Sequence, residues 1–337
     1  MAGVALFLML MLLTALNSQA YAASCASAAG NYTFSATQSW QRDTAVGYVG
    51  AKIGAQGGAV WNMSCTGDAS ADRDVYFTMK VNGSPVSGYT DVYSTNIQGV
   101  GVRYNFALNT GSLTFCAIQY DDHINNSSRQ YTCHLPKNTS QSFSLGASLQ
   151  FVKLSNDINS GVINSIPAVT ASYSLNNQSG TWELNNIWTG AGNLNLSVLA
   201  CSINNSNMVF PIGDVQVASF GSQIGTVVDN AQNTQNLALN CGAGSNINIS
   251  LNGIQNPDVS TTSVLALTGQ GNADVAKGVG VQLLYNGTPL VLNNRIVLKQ
   301  SAGGQETFPI TARYYQTKTS VLPGKANTAA TLDLTYQ

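Results

Sequence analysis

Residues 329–337, AATLDLTYQ, close the chain. Leu332, Leu334 and Tyr336 alternate with Thr331, Asp333 and Thr335, the period-two pattern of a strand that buries one face. No residue follows Gln337 to fold back beside it, so this strand is expected to present an open edge of main-chain donors and acceptors. What pairs with that edge decides how the distal half of the molecule is completed.

The same alternation recurs upstream. NYTFSA, DVYFTMKV, GVGVRYNFAL, SLTFCAIQY, ASLQFVKL, AVTASYSL, NLNLSVLAC, NINISLNG, GVGVQLLYNG and TFPITARYYQ are short runs bounded by Gly, Asn, Ser or Pro. No window carries helical periodicity, and the fold class is all-β. Asn185–Asn193, rich in small and polar residues, reads as a linker, which predicts domains at 23–188 and 189–337.

The opening MAGVALFLMLMLLTALNSQAYAAS holds an uncharged apolar run from Val4 to Leu16, followed by Ala20-Tyr21-Ala22. This is the pattern of a secretory signal peptide, residues 1–22, cleaved after Ala22. The run falls short of the roughly 20 apolar residues that span a bilayer. Only 9% of residues are charged and the net charge is -1, which leaves no field to gather nucleic acid. Export also puts the six cysteines, Cys25, Cys65, Cys116, Cys133, Cys201 and Cys241, where disulfides persist. Fifteen pairings are open; the sequential one is the simplest.

From Leu196 onward the chain resembles the pilin domain of chaperone–usher fimbriae. The resemblance rests on LACSINNSNMVFPIGDVQVASF around Cys201, LALNCGAGSNINISLNG around Cys241, AKGVGVQLLYNGTPLVL from Ala276, and FPITARYYQTKTSVLPGKANTAATLDLTYQ, with Gly324 fourteenth from the end and Tyr336 penultimate. It implies an immunoglobulin-like sandwich lacking its last strand. The groove beside the C-terminal strand, with Gly324, Leu332, Leu334 and Tyr336, would then be filled by a periplasmic chaperone. At the outer-membrane usher an adjacent fimbrial subunit would replace that chaperone. The physical basis is β-augmentation.

The residues ahead of Cys201 do not form a donor extension but continue into another whole domain, the arrangement of a two-domain tip adhesin at the bacterial surface. Its N-terminal half would be a lectin-like β-sandwich that binds a host or surface receptor, usually a glycan. TNIQGVGVRY from Thr95 and LQFVKLSNDINSGVI from Leu149 are similar to fimbrial adhesin strands. Asp68, three residues past Cys65, and Asp74 stand where mannose-binding type 1 adhesins carry contacting aspartates. Gly67 replaces a neighbouring Asn of that family, and its later Gln-x-Asn contacts have no clear counterpart unless Asn156 and Asp157 supply them, a departure that points away from mannose. A second candidate is the loop between Cys116 and Cys133, AIQYDDHINNSSRQYT, with Tyr120, Asp121, Asp122 and Asn125. Carboxylates, amides and aromatic rings are the groups that bind sugar hydroxyls and C–H faces. The same architecture with a first domain that binds nothing would be a structural minor subunit or adaptor. Trp40, Trp61, Trp182 and Trp188 read as core or packing residues.

No H-E-x-x-H, G-x-S-x-G or G-x-x-x-x-G-K-[ST] is present. Adjacent Asp121 and Asp122 cannot stand on opposite sides of a glycosidic bond. Those two with His123 and His134 lack any metal-ligand spacing. Neither an enzyme, a metal nor a cofactor is expected.

Overall fold

A computed structural model describes residues 22–27, 32–54, 60–108, 116–117, 122–176, 178–184 and 188–337. Residues 1–21 of the expected leader, Tyr120 and Asp121 lie outside these. The chain divides into two compact units, one built from the residues up to Gln38 with Ala45–Ser197, the other from Ser39–Thr44 with Val198–Gln337. Among the described residues nearly all regular structure is strand, with one 3-10 turn at Val217–Ser219.

The first unit pairs two sheets. One runs in the order Ser24–Ser27, Val60–Thr66, Ser140–Lys153, Val100–Leu108, Val92–Ser94; the other in the order Gly161–Ser165, Trp188–Leu199, Val169–Leu175, Arg73–Val81, Ser128–Leu135, Cys116–Ala117. Alternation in sequence becomes alternation in burial. Val75, Phe77, Met79 and Val81 of one strand, and Val169, Ala171, Tyr173 and Leu175 of its neighbour, all point inward. Each such Val, Leu, Phe or Met side chain stabilises the fold by about 1.5–3 kcal/mol relative to exposure. Trp188 is fully buried, with its ring 5.8 Å from Tyr104 and 6.1 Å from Phe106.

Residues 185–187 of the expected linker lie outside the described residues, and the rest of it lies in a strand. Trp188–Leu199 is one continuous strand, and the division between units falls after Ser197 rather than at 189. The glycines that suggested a flexible connection are packing glycines. A Cβ on Gly190, which has φ +82°, would meet the Ile166 carbonyl oxygen at 2.1 Å, and one on Gly192 would meet the Phe34 ring at 2.1 Å.

The second unit has a five-stranded sheet in the order Cys201–Ile203, Gln232–Cys241, Gly304–Gln316, Val279–Tyr285, Thr288–Pro289. Its three-stranded sheet runs Arg295–Gln300, Asn246–Asn252, Thr331–Tyr336. A core of Leu237, Leu239, Ile247, Ile249, Leu251, Phe308 and Ile310 lies between them. Cys25–Cys65, Cys116–Cys133 and Cys201–Cys241 are all bonded. Each pair stands directly opposed across two antiparallel strands, so the simplest pairing is the one the sheets impose.

Candidate functional site

Thr331–Tyr336 is the outer strand of its sheet. It pairs with Asn246–Asn252 in the register Leu332 to Leu251, Leu334 to Ile249 and Tyr336 to Ile247. Leu332 and Leu334 pack against the core, and Tyr336 is buried with its hydroxyl donating to the Cys201 carbonyl at 3.1 Å. Burial raises the Tyr336 pKa above that of a free phenol, and the nearby Arg42 charge works against that rise. Along the opposite edge of the strand, among the described residues, main-chain pairing occurs only at Tyr336, to Asp43.

The chain leading into this strand forms one bank of a groove with a volume of about 880 Å³. Val321–Ala330 is held from its outer side: Leu322 and Lys277 exchange N–H···O bonds of 3.0 and 3.1 Å, and Lys325 donates to Asp274 at 2.9 Å. Gly324 makes this approach possible. A Cβ there would lie 2.4 Å from the Ala276 nitrogen and 2.5 Å from the Val275 carbonyl carbon, so any other residue must push the bank outward. Gly324→Ala is expected to cost about 1–3 kcal/mol, the range for overpacking, read as a lower midpoint in urea unfolding. An unchanged midpoint would show that the bank yields freely.

The facing bank is Met208–Val215. Met208, Phe210 and Ile212 turn toward the core while Val209 is 76% exposed, the alternation of an extended strand. Among the described residues, no main-chain N–H or C=O from Ser206 to Val215 makes a main-chain hydrogen bond. The floor consists of core residues, among them Leu265, Ala276, Val279, Val281 and Ala312. One segment without main-chain partners and one paired along a single stretch therefore flank a trough floored by core residues. The chemistry such a trough offers is pairing with a third strand.

Residues 192–337 match the family model for fimbrial proteins. This part of the chain is similar to fimbrial proteins. Across 264 residues, 74% of this chain and 74% of the relative, the sequence is 27% identical to a fimbria adhesin protein of Klebsiella pneumoniae. Among solved structures, the CupB6 tip adhesin from Pseudomonas aeruginosa is similar at 14% identity, covering 94% of each chain with a TM-score of 0.37. The receptor binding domain of the Klebsiella pneumoniae adhesin MrkD1P is similar at 18% identity, covering 53% of this chain and 98% of that one with a TM-score of 0.28.

Among the described receptor candidates of the first unit, Asp74 and Asn125 stand at opposite ends of one strand ladder. Asp68 is buried at 5% exposure. It accepts from the Ser70 hydroxyl at 2.5 Å and the Ser70 N–H at 2.7 Å, and Arg73 donates to its second oxygen at 2.7 and 3.1 Å. The Ser70 hydrogen bonds first, then Arg73, hold its carboxyl well below the usual carboxylate range, so its oxygens are occupied in fixing a turn. Gly67 beside it is required sterically, since a Cβ would lie 2.3 Å from the Pro136 carbonyl oxygen. A depressed pKa contributes stability that is present above the unfolded value near pH 4 and lost as pH falls. Asp68→Asn is expected to lower the melting temperature at pH 7 and to flatten the loss between about pH 4 and pH 2; superimposable acid profiles would contradict this.

Asp74 is half-exposed. Its carboxylate lies 3.2 Å from His134 Nδ1 and accepts from the Asn176 amide at 3.4 Å. Asn125 sits at the other end of the same ladder, where Ser128 pairs with Lys80 while His134 pairs with Asp74, about 20 Å apart at strand rise. It flanks a two-residue turn, with Asn126 and Ser127 at φ 50° and 69°, the geometry of a tight hairpin. Asp122 pairs through its backbone with Phe106. Asn156 and Asp157 lie exposed in the loop after Ser140–Lys153, where the Asp157 N–H donates to Ser155 Oγ at 3.0 Å. Of the tryptophans, Trp40 is buried and Trp182 is 36% exposed, stacked at 5.2 Å on Tyr173.

Proposed function

We propose that the groove of the fimbrial domain accepts an extended, alternately apolar strand of another polypeptide, and that the chain is a fimbrial tip adhesin held in its fibre by that strand. The observation that carries this reading is the open edge of Thr331–Tyr336, continuous with a trough floored by the domain's own core. A periplasmic chaperone covers the groove first. During assembly at the outer-membrane usher, the N-terminal strand of the adjacent subunit takes its place. Main-chain bonds along both banks give affinity, and apolar side chains entering the trough give register. The fimbrial family match supports the same reading.

The first unit then carries the receptor site, and a glycan is the class of ligand its exposed carboxylate and amide groups suit. Asp74 with His134 and Asn176, at one end of the sandwich, competes for this role with Asn125 at the other. The full mature chain, with a donor-strand peptide in its groove, is to be tested on immobilised glycans and matrix proteins. Retention abolished by Asp74→Ala or by Asn125→Ala assigns the end that binds. A well-folded protein retained on no surface would instead make the chain a structural adaptor.

A further inference from the structure

The second unit includes a piece of chain remote in sequence, Ser39–Thr44, and that piece acts directly on the open edge. The Asp43 N–H donates to the Tyr336 carbonyl at 2.9 Å, and the Tyr336 N–H donates to Asp43 Oδ2 at 2.8 Å. Both main-chain groups that Tyr336 turns away from its own sheet are therefore satisfied. The clip is itself anchored. Arg42 donates from Nε to Asp43 Oδ1 at 2.9 Å and lays its guanidinium 4.6 Å from the centre of the Tyr336 ring. The Arg42 N–H donates to the Leu199 carbonyl at 3.0 Å. Gln41 bonds both the Gly244 carbonyl, at 2.7 Å, and the Asn246 N–H, at 3.0 Å.

Backbone groups alternate in direction along an antiparallel strand, so Leu332 and Leu334 share the orientation of Tyr336 and face the open edge. We propose that Asp43 is a terminal stop: an incoming strand pairs with Leu332 and Leu334 but not with Tyr336, and its register on the fimbrial domain is fixed by where Asp43 begins. This rests on the strand-acceptor reading above. Asp43 is then a positioning residue, acting on the incoming strand by occupying the last rung of the ladder. The segment that supplies it lies more than 150 residues upstream of the domain's other residues, so an isolated fragment beginning near Val198 would lack the stop.

The test uses the full mature chain and synthetic peptides of alternating valine and threonine, lysine-capped for solubility, in a series lengthened by two residues at either end. Amide hydrogen exchange and peptide affinity are read together for the native protein, Asp43→Ala, Asp43→Asn and Arg42→Ala. In the native protein the peptide should protect Leu332 and Leu334, leave Tyr336 as protected as before, and gain nothing from lengthening beyond Leu334. In Asp43→Ala, Tyr336 should exchange rapidly without peptide and become protected with it, and the longer peptide should bind about 3- to 10-fold more tightly, the worth of roughly one further hydrogen bond. Asp43→Asn, which keeps an acceptor oxygen, should behave as the native protein. Arg42→Ala should shift partway toward Asp43→Ala, and so reports on the stop should Asp43→Ala fail to fold. Equal gains from lengthening in the native protein and Asp43→Ala would overturn the stop while leaving the groove intact. Failure of any peptide to protect Leu332 or Leu334 would overturn the strand-acceptor reading and the stop with it.

Discussion

The protein lacking residues 1–22, mixed with a donor-strand peptide, is expected to melt on the order of 10 °C higher than the same protein alone. At a free peptide concentration a thousandfold above its dissociation constant, a ligand that binds only the folded state adds about 4 kcal/mol, and a domain of this size gains roughly 2–4 °C per kcal/mol. The source of that energy is visible in the second unit. Val321–Ala330 bonds to Thr268 and to Asp274, Ala276 and Lys277, and among the described residues Ser206–Val215 has no main-chain partner. Leu265, Val279 and Val281, members of the core, line the trough between them. A third strand would satisfy both banks and cover that floor. Differential scanning fluorimetry with a scrambled, charged peptide as control checks the result; coincident transitions would contradict it.

Removing the disulfide of the second unit is the second large effect. Cys201 and Cys241 close a loop of 40 residues between directly opposed strands, and restriction of the unfolded chain by such a loop is worth about 4 kcal/mol. The bond also holds Cys201–Ile203 in place, the short strand from which Met208–Val215 departs and whose Cys201 carbonyl accepts the Tyr336 hydroxyl. Cys201→Ser with Cys241→Ser should therefore lower stability by about 4 kcal/mol and weaken donor-peptide binding at the same time. A doubly substituted protein that lost stability but bound peptide as before would show that the bond supports the core and not the banks of the groove.

Much of this architecture is written locally. Alternating runs such as DVYFTMKV and TFPITARYYQ are the strands Arg73–Val81 and Gly304–Gln316, because period-two burial needs only neighbouring residues. The strand carrying Leu332, Leu334 and Tyr336 was legible for the same reason, whereas the closing of its edge at Tyr336 by Asp43 was not. Features that depend on contacts distant in sequence were not. Gly190 and Gly192 look like a linker until Phe34 and the Ile166 carbonyl are placed against them. Asp68 looks like a ligand-binding carboxylate until Arg73 and Ser70 close on it. The Asp43 clip gave one faint signal, a charged Arg42-Asp43 pair in a chain with 9% charged residues, but its partner Tyr336 is 293 positions away. Separating Asp74 from Asn125 required the register of Ser128–Leu135 on Arg73–Val81, which composition does not encode.

The central claim is that the second unit is completed by a strand from another polypeptide. Amide hydrogen exchange at Leu332 and Leu334, and across Met208–Val215, tests it most directly, with and without a donor-strand peptide bound to the protein lacking residues 1–22. Fast exchange at these positions in the protein alone, slowed at least tenfold when the peptide is present, is the predicted result, about 1.4 kcal/mol of added protection or more. Amides already protected in the protein alone and unmoved by the peptide would mean that the edge has a partner within its own chain, and would contradict the account.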